Sequence, residues 1–159
     1  MNNQDIKKTI DAINKVSADR HKLIIILGMF GAGKTQILKQ AADLVQGRYI
    51  NINLELSERL LQLPARDASD GVTVHRLIDD ICDSQSPNGE PLFVDNIEIL
   101  FSPELGKVNP VDTFKRVSRQ RPIVLAMPAL RQGNMAVYST PDHPDYFPIS
   151  LEDYIVIEL

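Results

Sequence analysis

The sequence predicts an α/β protein with a five-stranded parallel sheet between two layers of helices. Three observations predict it. A glycine-rich stretch, Gly28-Met29-Phe30-Gly31-Ala32-Gly33-Lys34-Thr35, lies between an apolar run and a helical pattern. A second apolar run, Leu92-Phe93-Val94, ends in Asp95-Asn96. Between and beyond them, short strand-like runs alternate with helical stripes, the pattern of parallel strands joined by crossover helices.

The elements follow in order. Ile6, Ile10, Ile13 and Val16 recur at helical spacing among Lys7, Lys8, Asp11 and Lys15, so residues 1–20 hold an amphipathic helix leading into a core of residues 21–159. Leu23 to Leu27 is apolar throughout, as a central parallel strand covered on both faces requires. Ile37, Leu38, Ala41 and Leu44 form the inner stripe of the next helix, and Gly47 suits the left-handed position after its end. Over residues 49–54, Ile50, Ile52 and Leu54 alternate with Asn51, Asn53 and Glu55, which predicts a half-buried second strand with Glu55 at its end. Ser57 is placed to cap a short helix ending near Pro64.

Residues 66–71 read as a loop. A helical stripe of Val74, Leu77, Ile78 and Ile81 spans 72–82, and Pro87 with Asn88-Gly89 marks a turn. The third strand is 92–96. Asn109-Pro110 is a cap followed by proline at the first helical position, with Val111, Phe114 and Val117 facing inward. The fourth strand is 122–127, residues 128–148 are irregular, and 154–157 is the fifth strand. A strand between the glycine loop and the Asp95 strand predicts the order 5-1-4-3-2, without a C-terminal helical lid.

Strand, glycine loop and helix form the context of a P-loop, and G-x-x-x-x-G-K-T is its pattern. The expected core is therefore that of a P-loop NTPase of the AAA+/RecA-like branch. Glycines allow backbone N–H groups to converge on phosphate, and the helix start adds free N–H groups and a positive dipole end. Gly28, Phe30, Gly31, Ala32, Gly33, Lys34, Thr35 and Gln36 are the expected ATP-binding residues. Lys34 neutralises the β- and γ-phosphates, while Thr35 and Asp95 hold Mg²⁺.

Hydrolysis also needs a group that orients or deprotonates water. Proteins of this branch commonly place Glu after the Asp of the third strand, where this chain has Asn96. Glu98 and Glu55 are the carboxylates that can substitute. Glu55 at the end of the second strand is the expected water-orienting group, with Asn96 beside it. Arg119 and Arg121 precede the fourth strand and are the candidates for acting on a neighbouring subunit's nucleotide, with Arg121 placed in the catalytic set. Arg131 is the candidate for acting on the chain's own. The expected catalytic set is Lys34, Glu55, Asp95, Asn96 and Arg121.

Seventeen Lys and Arg against 21 Asp and Glu give a net charge of −4, which argues against a broad nucleic-acid-binding face; direct DNA contact would need a local patch. Cys82 is the single cysteine and excludes a disulfide within the chain. His21, His75 and His143 lack metal-ligand spacing. The polar start, Met1-Asn2-Asn3-Gln4-Asp5, is unlike a signal peptide, and no apolar run reaches a membrane span, so a cytoplasmic protein is expected.

The glycine loop, Asn53-Leu54-Glu55-Leu56-Ser57, Asp95-Asn96-Ile97-Glu98-Ile99-Leu100-Phe101, Ser118-Arg119-Gln120-Arg121 and His143-Pro144-Asp145-Tyr146 together resemble the BrxF family. These are small P-loop proteins of type 3 bacteriophage exclusion (BREX) defence systems. The resemblance covers most of the chain. It implies an ATP-binding antiviral component whose partners are other BREX proteins: a large ATPase, a DNA methyltransferase, an alkaline-phosphatase-like protein and a helicase. A nucleotide-dependent homo-oligomer is expected. A nucleotide-dependent scaffold with little hydrolysis and a small-molecule kinase are the competing readings.

Overall fold

A computed structural model describes residues 2–64, 71–139, 142–144 and 146–159, with the backbone alone for Asn2 and Gly71. Most of the loop expected at 66–71, and Asp145 of the His-Pro-Asp-Tyr run, lie outside the described residues.

The chain runs α1 (Asn2–Val16), β1 (Leu23–Leu27), α2 (Lys34–Val45), β2 (Arg48–Asn51), α3 (Ile52–Leu60), α4 (Gly71–Gln85) and β3 (Leu92–Asp95). Two 3-10 turns, Glu98–Phe101 and Pro103–Leu105, lead to α5 (Pro110–Val117) and β4 (Ile123–Met127). Three short strands follow, β5 (Leu130–Gln132), β6 (Met135–Tyr138) and β7 (Phe147–Ser150), before β8 (Ile155–Glu158).

The main sheet has the order β2-β3-β4-β1-β8, and every pairing in it is parallel. All five residues of β1 are buried. Leu23, Ile25 and Leu27 join the core under α3, α4 and α5, while Ile24 and Ile26 join the one under α1 and α2. The sheet therefore lies between two helical layers, and near-continuous apolar strands are the consequence of covering both faces. The stripe of α1 behaves as its spacing requires: Ile6, Ile13 and Val16 are buried against α2 and the sheet. No helix among the described residues is long and apolar enough to cross a membrane.

Several local expectations are corrected. The second strand stops at Asn51, and helix α3 begins at Ile52. Asn51 is the cap, its side chain accepting the Leu54 N–H at 3.1 Å. The apparent alternation is broken by burial, since Ile52 and Leu56 are fully buried at helical spacing while Leu54 is 57% exposed. Glu55 thus lies in the first turn of a helix, and Ser57 is inside α3, bonded to Asn53 rather than capping a later helix.

The left-handed position after α2 belongs to Gln46 (φ 57), not Gly47. Gly47 is required by close approach instead: a Cβ there would lie 2.6 Å from the Pro91 carbonyl oxygen and 2.7 Å from the Phe93 ring. Leu44, expected on the inner stripe, is 66% exposed.

Residues 128–148 are not irregular throughout. They contain two strands and the start of a third, forming an antiparallel sheet in the order β5-β6-β7. The Phe101 ring stacks on Tyr138 at 4.2 Å and meets Phe147 at 5.5 Å, tying this sheet to the segment after β3.

Candidate functional site

The strands of the main sheet are parallel, so their carboxyl ends share one edge. There the glycine loop leaves β1 and the Asp95 strand ends. Gly31 (φ 83) and Gly33 (φ 92) both take the left-handed region, where a side chain is strained. An added Cβ at either would touch nothing within 4 Å, so backbone conformation rather than crowding calls for glycine. Gly33 immediately precedes α2, and the loop thereby presents the open N–H groups of the helix start. Gly28 is different: an added Cβ there would sit 3.1 Å from Ala32 Cβ and 3.3 Å from Leu159 Cβ.

Beside this loop is a cleft of about 500 Å³. Phe30, Gly31, Gly33, Lys34, Thr35 and Gln36 line it from the loop and helix start, joined by Lys39, Asp95, Asn96 and Glu98. Seven of these ten residues thus come from the glycine loop and α2, and three from the end of β3 and the turn after it.

Lys34 is 9% exposed, and its ammonium donates to the carbonyls of Gly28 and Met29, the latter at 3.0 Å. Burial lowers its pKa, opposed by the negative charges of Asp95 and Glu98. The Thr35 hydroxyl donates to Asp95 Oδ2 at 2.5 Å, joining the two segments that the sequence separates by 60 residues. The Asn96 N–H donates to Asp95 Oδ1 at 3.0 Å. Asp95 is 4% exposed, so both oxygens are held by hydrogen bonds in a nearly dry site.

Tyr49 completes the cluster and was not singled out by its sequence. Its phenol donates to Asp95 Oδ2 at 2.8 Å, and burial followed by that bond pushes its pKa upward. The register explains the contact. Tyr49 pairs with Phe93 and Asn51 with Asp95, so Tyr49 and Asp95 share one face of the sheet one pleat apart. Lys39 was also missed; its ammonium lies 5.0 Å from the Tyr49 ring centre. It follows Thr35 by four residues on α2, a spacing that places both on one helical face.

Two expected catalytic residues are elsewhere. Glu55 does not line the cleft; it faces Arg59 along α3 at 3.8 Å. Arg121 is 5% exposed and bonded to Asp83 at 2.9 Å, with further bonds to Gln120 and the Val117 carbonyl. These bonds anchor it between α4 and the start of β4. Arg119 is exposed at the sheet edge opposite the cleft, where its Nε meets His21 at 3.2 Å. Arg131 lies in β5 and faces Glu158 at 3.6 Å; it is not in the cleft wall.

The arrangement joins an amide-rich loop, a buried ammonium and an oxygen donor pair. Thr35 and Asp95 offer the hard oxygen ligands that suit Mg²⁺, which takes one or two protein groups and fills its octahedron with water and phosphate oxygens. Among the described residues no group of three or more His, Cys, Asp or Glu could hold a metal ion. No protein-family model and no curated protein matches this chain.

Proposed function

We propose that this chain is a P-loop protein that binds ATP with Mg²⁺ in the cleft at the carboxyl edge of the sheet. The observation that carries the reading is the Thr35–Asp95 hydrogen bond beside buried Lys34. It puts a hydroxyl, a carboxylate and an ammonium at the mouth of one glycine loop. Lys34 and the loop amides would hold the phosphates, and Thr35 with Asp95 would hold the cation, directly or through water. When bound, Mg²⁺ would neutralise phosphate charge as the terminal group departs. The strand order gives further support: with the three short antiparallel strands set aside, β8-β1-β4-β3-β2 corresponds to 5-1-4-3-2.

The motif resemblance supports placing it with the BrxF family, as a cytoplasmic antiviral component of BREX systems. Its nucleotide state would control assembly with itself and with the large ATPase, methyltransferase, phosphatase-like protein or helicase. Slow turnover suits such a switch. A second reading, a scaffold that binds ATP without hydrolysing it, is favoured by Asn96, whose amide cannot accept the proton of water. A small-molecule kinase is disfavoured because no arginine lines the cleft among the described residues.

Calorimetry with ATP and GTP in Mg²⁺ tests the reading. Heat of binding in the wild type, lost in Lys34→Ala, is expected; no heat from folded protein with either nucleotide would end it. Light scattering with and without ATP tests assembly, where a mass increase that depends on Lys34 is the expected result.

A further inference from the structure

We infer that Glu98 is the proton acceptor for the water that attacks the terminal phosphate in this cleft, an inference that rests on the ATP-binding reading above. A proton acceptor must lie within a hydrogen bond, or one water, of its target. Among the described residues that line the cleft only Asp95 and Glu98 carry carboxylates, and none is a histidine.

Asp95 is already engaged. Its Oδ2 accepts from Thr35 and Tyr49, and its Oδ1 from the Asn96 N–H. Both of its oxygens are therefore already occupied as acceptors. Glu98 differs in each respect. It is partly exposed at the cleft wall, and its side chain has no hydrogen bond or ion pair among the described residues. It shares the cleft wall with Lys34, the group that would hold the terminal phosphate.

Local backbone puts it there. Asn96 takes φ 57 and turns the chain away from β3. A 3-10 turn then starts at Glu98, pinned by fully buried Ile97, Leu100 and Phe101. Anchoring on three buried side chains fixes the backbone from which this carboxylate projects. Glu55, the other carboxylate in question, is outside the cleft and beside Arg59.

In the step itself, the water oxygen forms a bond to the γ-phosphorus. The bond from that phosphorus to the β–γ bridging oxygen breaks, and its electron pair leaves on ADP. The water proton passes to Glu98, which later releases it to solvent.

The test compares wild type, Glu98→Gln and Glu55→Gln by calorimetry with a non-hydrolysable ATP analogue and by single-turnover ATP hydrolysis. Glu98→Gln should bind the analogue within about threefold of wild type and hydrolyse ATP roughly 100-fold or more slowly, the range of a lost general base. Glu55→Gln should match wild type in both. Glu98→Ala serves as the second variant should the glutamine form melt early. Hydrolysis by both folded Glu98 variants within about threefold of wild type would overturn the assignment. So would wild-type protein that binds ATP and leaves it intact, and the nucleotide-binding reading would then survive alone. Wild-type protein that binds neither ATP nor the analogue would instead bring down the reading on which this inference rests.

Discussion

Tyr49 and Thr35 donate hydrogen bonds to the same oxygen of Asp95, at 2.8 and 2.5 Å. The carboxylate at the end of β3 is therefore fixed from two sides, by a strand at the sheet edge and by the first turn of α2. A ligand held this way keeps its orientation without help from the cation it would bind. Tyr49→Phe removes one bond and leaves the ring in place. Stability should fall by about 1.5 kcal/mol, the low end of the net worth of a hydrogen bond with a charged acceptor. The Mg²⁺ concentration needed for half-maximal ATP binding should rise by roughly tenfold, as for loss of other outer-shell partners. Calorimetry across a magnesium series measures this, and an unchanged midpoint would show that Tyr49 only packs.

Arg121 presents the opposite case, a charged residue that sequence position suggested for catalysis and that the fold uses as an anchor. The guanidinium is 5% exposed, and its Nε has no partner among the described residues, while Asp83 is 62% exposed. Removing the arginine leaves an aspartate that water can reach, so the severe penalty of a stranded buried charge does not apply. Arg121→Ala should cost about 1–3 kcal/mol in urea unfolding through lost packing and hydrogen bonds. Arg121→Met, which refills the volume, should recover most of that. Folded Arg121→Met should hydrolyse ATP like wild type; a selective loss of turnover at full stability would restore a role in catalysis.

What could be read from the sequence divides along a physical line. Features set by a few consecutive residues were legible: the glycine loop, the all-apolar β1, the Asn109 cap, whose side chain accepts the Val111 N–H at 2.9 Å, and the stripe of α4. Features set by register or distant packing were not. Tyr49 becomes a site residue only when β2 pairs with β3. Strand β5 is exposed at all three positions and β7 carries Pro148, so neither shows the pattern of a buried strand. Proline is tolerated there because β7 is an edge strand. Ile50, Ile52 and Leu54 fit a period of two, so the sequence reads as a longer second strand than the four residues of β2, and only Leu56 reveals the helix.

The junction between α2 and β2 offers two neighbouring substitutions of opposite sign. Gly47→Ala drives a methyl group to 2.6 Å from the Pro91 oxygen and 2.7 Å from Phe93. Because Phe93 is fully buried and Pro91 contributes backbone, neither can yield cheaply. A loss of about 2–3 kcal/mol is expected from such overpacking. Gln46→Gly relieves a left-handed residue at φ 57 and should stabilise by up to about 1 kcal/mol. Thermal unfolding of the two variants measures both. Equal effects of the same sign would contradict this geometry.

His75 supplies the pH dependence. Thr113 donates its one hydroxyl proton to the Asn109 carbonyl at 2.9 Å, so its oxygen must accept from His75 Nδ1 at 3.1 Å. That bond survives protonation of the ring, and burial followed by the nearby Arg116 charge is what lowers the His75 pKa below 6.5. The sign follows from proton counting. At a pH between the lowered folded value and 6.5, the unfolded chain binds more protons than the folded one, so stability rises with pH through that window. His21 is lowered too, by burial first and then by Lys115, Arg119, Arg20 and Lys22, and it contributes in the same direction. Urea unfolding between pH 5 and 7.5 should show stability increasing with pH, with a shallower slope for His75→Gln and a flatter one still for His75→Gln combined with His21→Gln. A slope unaltered in the double variant would mean that other groups carry the titration.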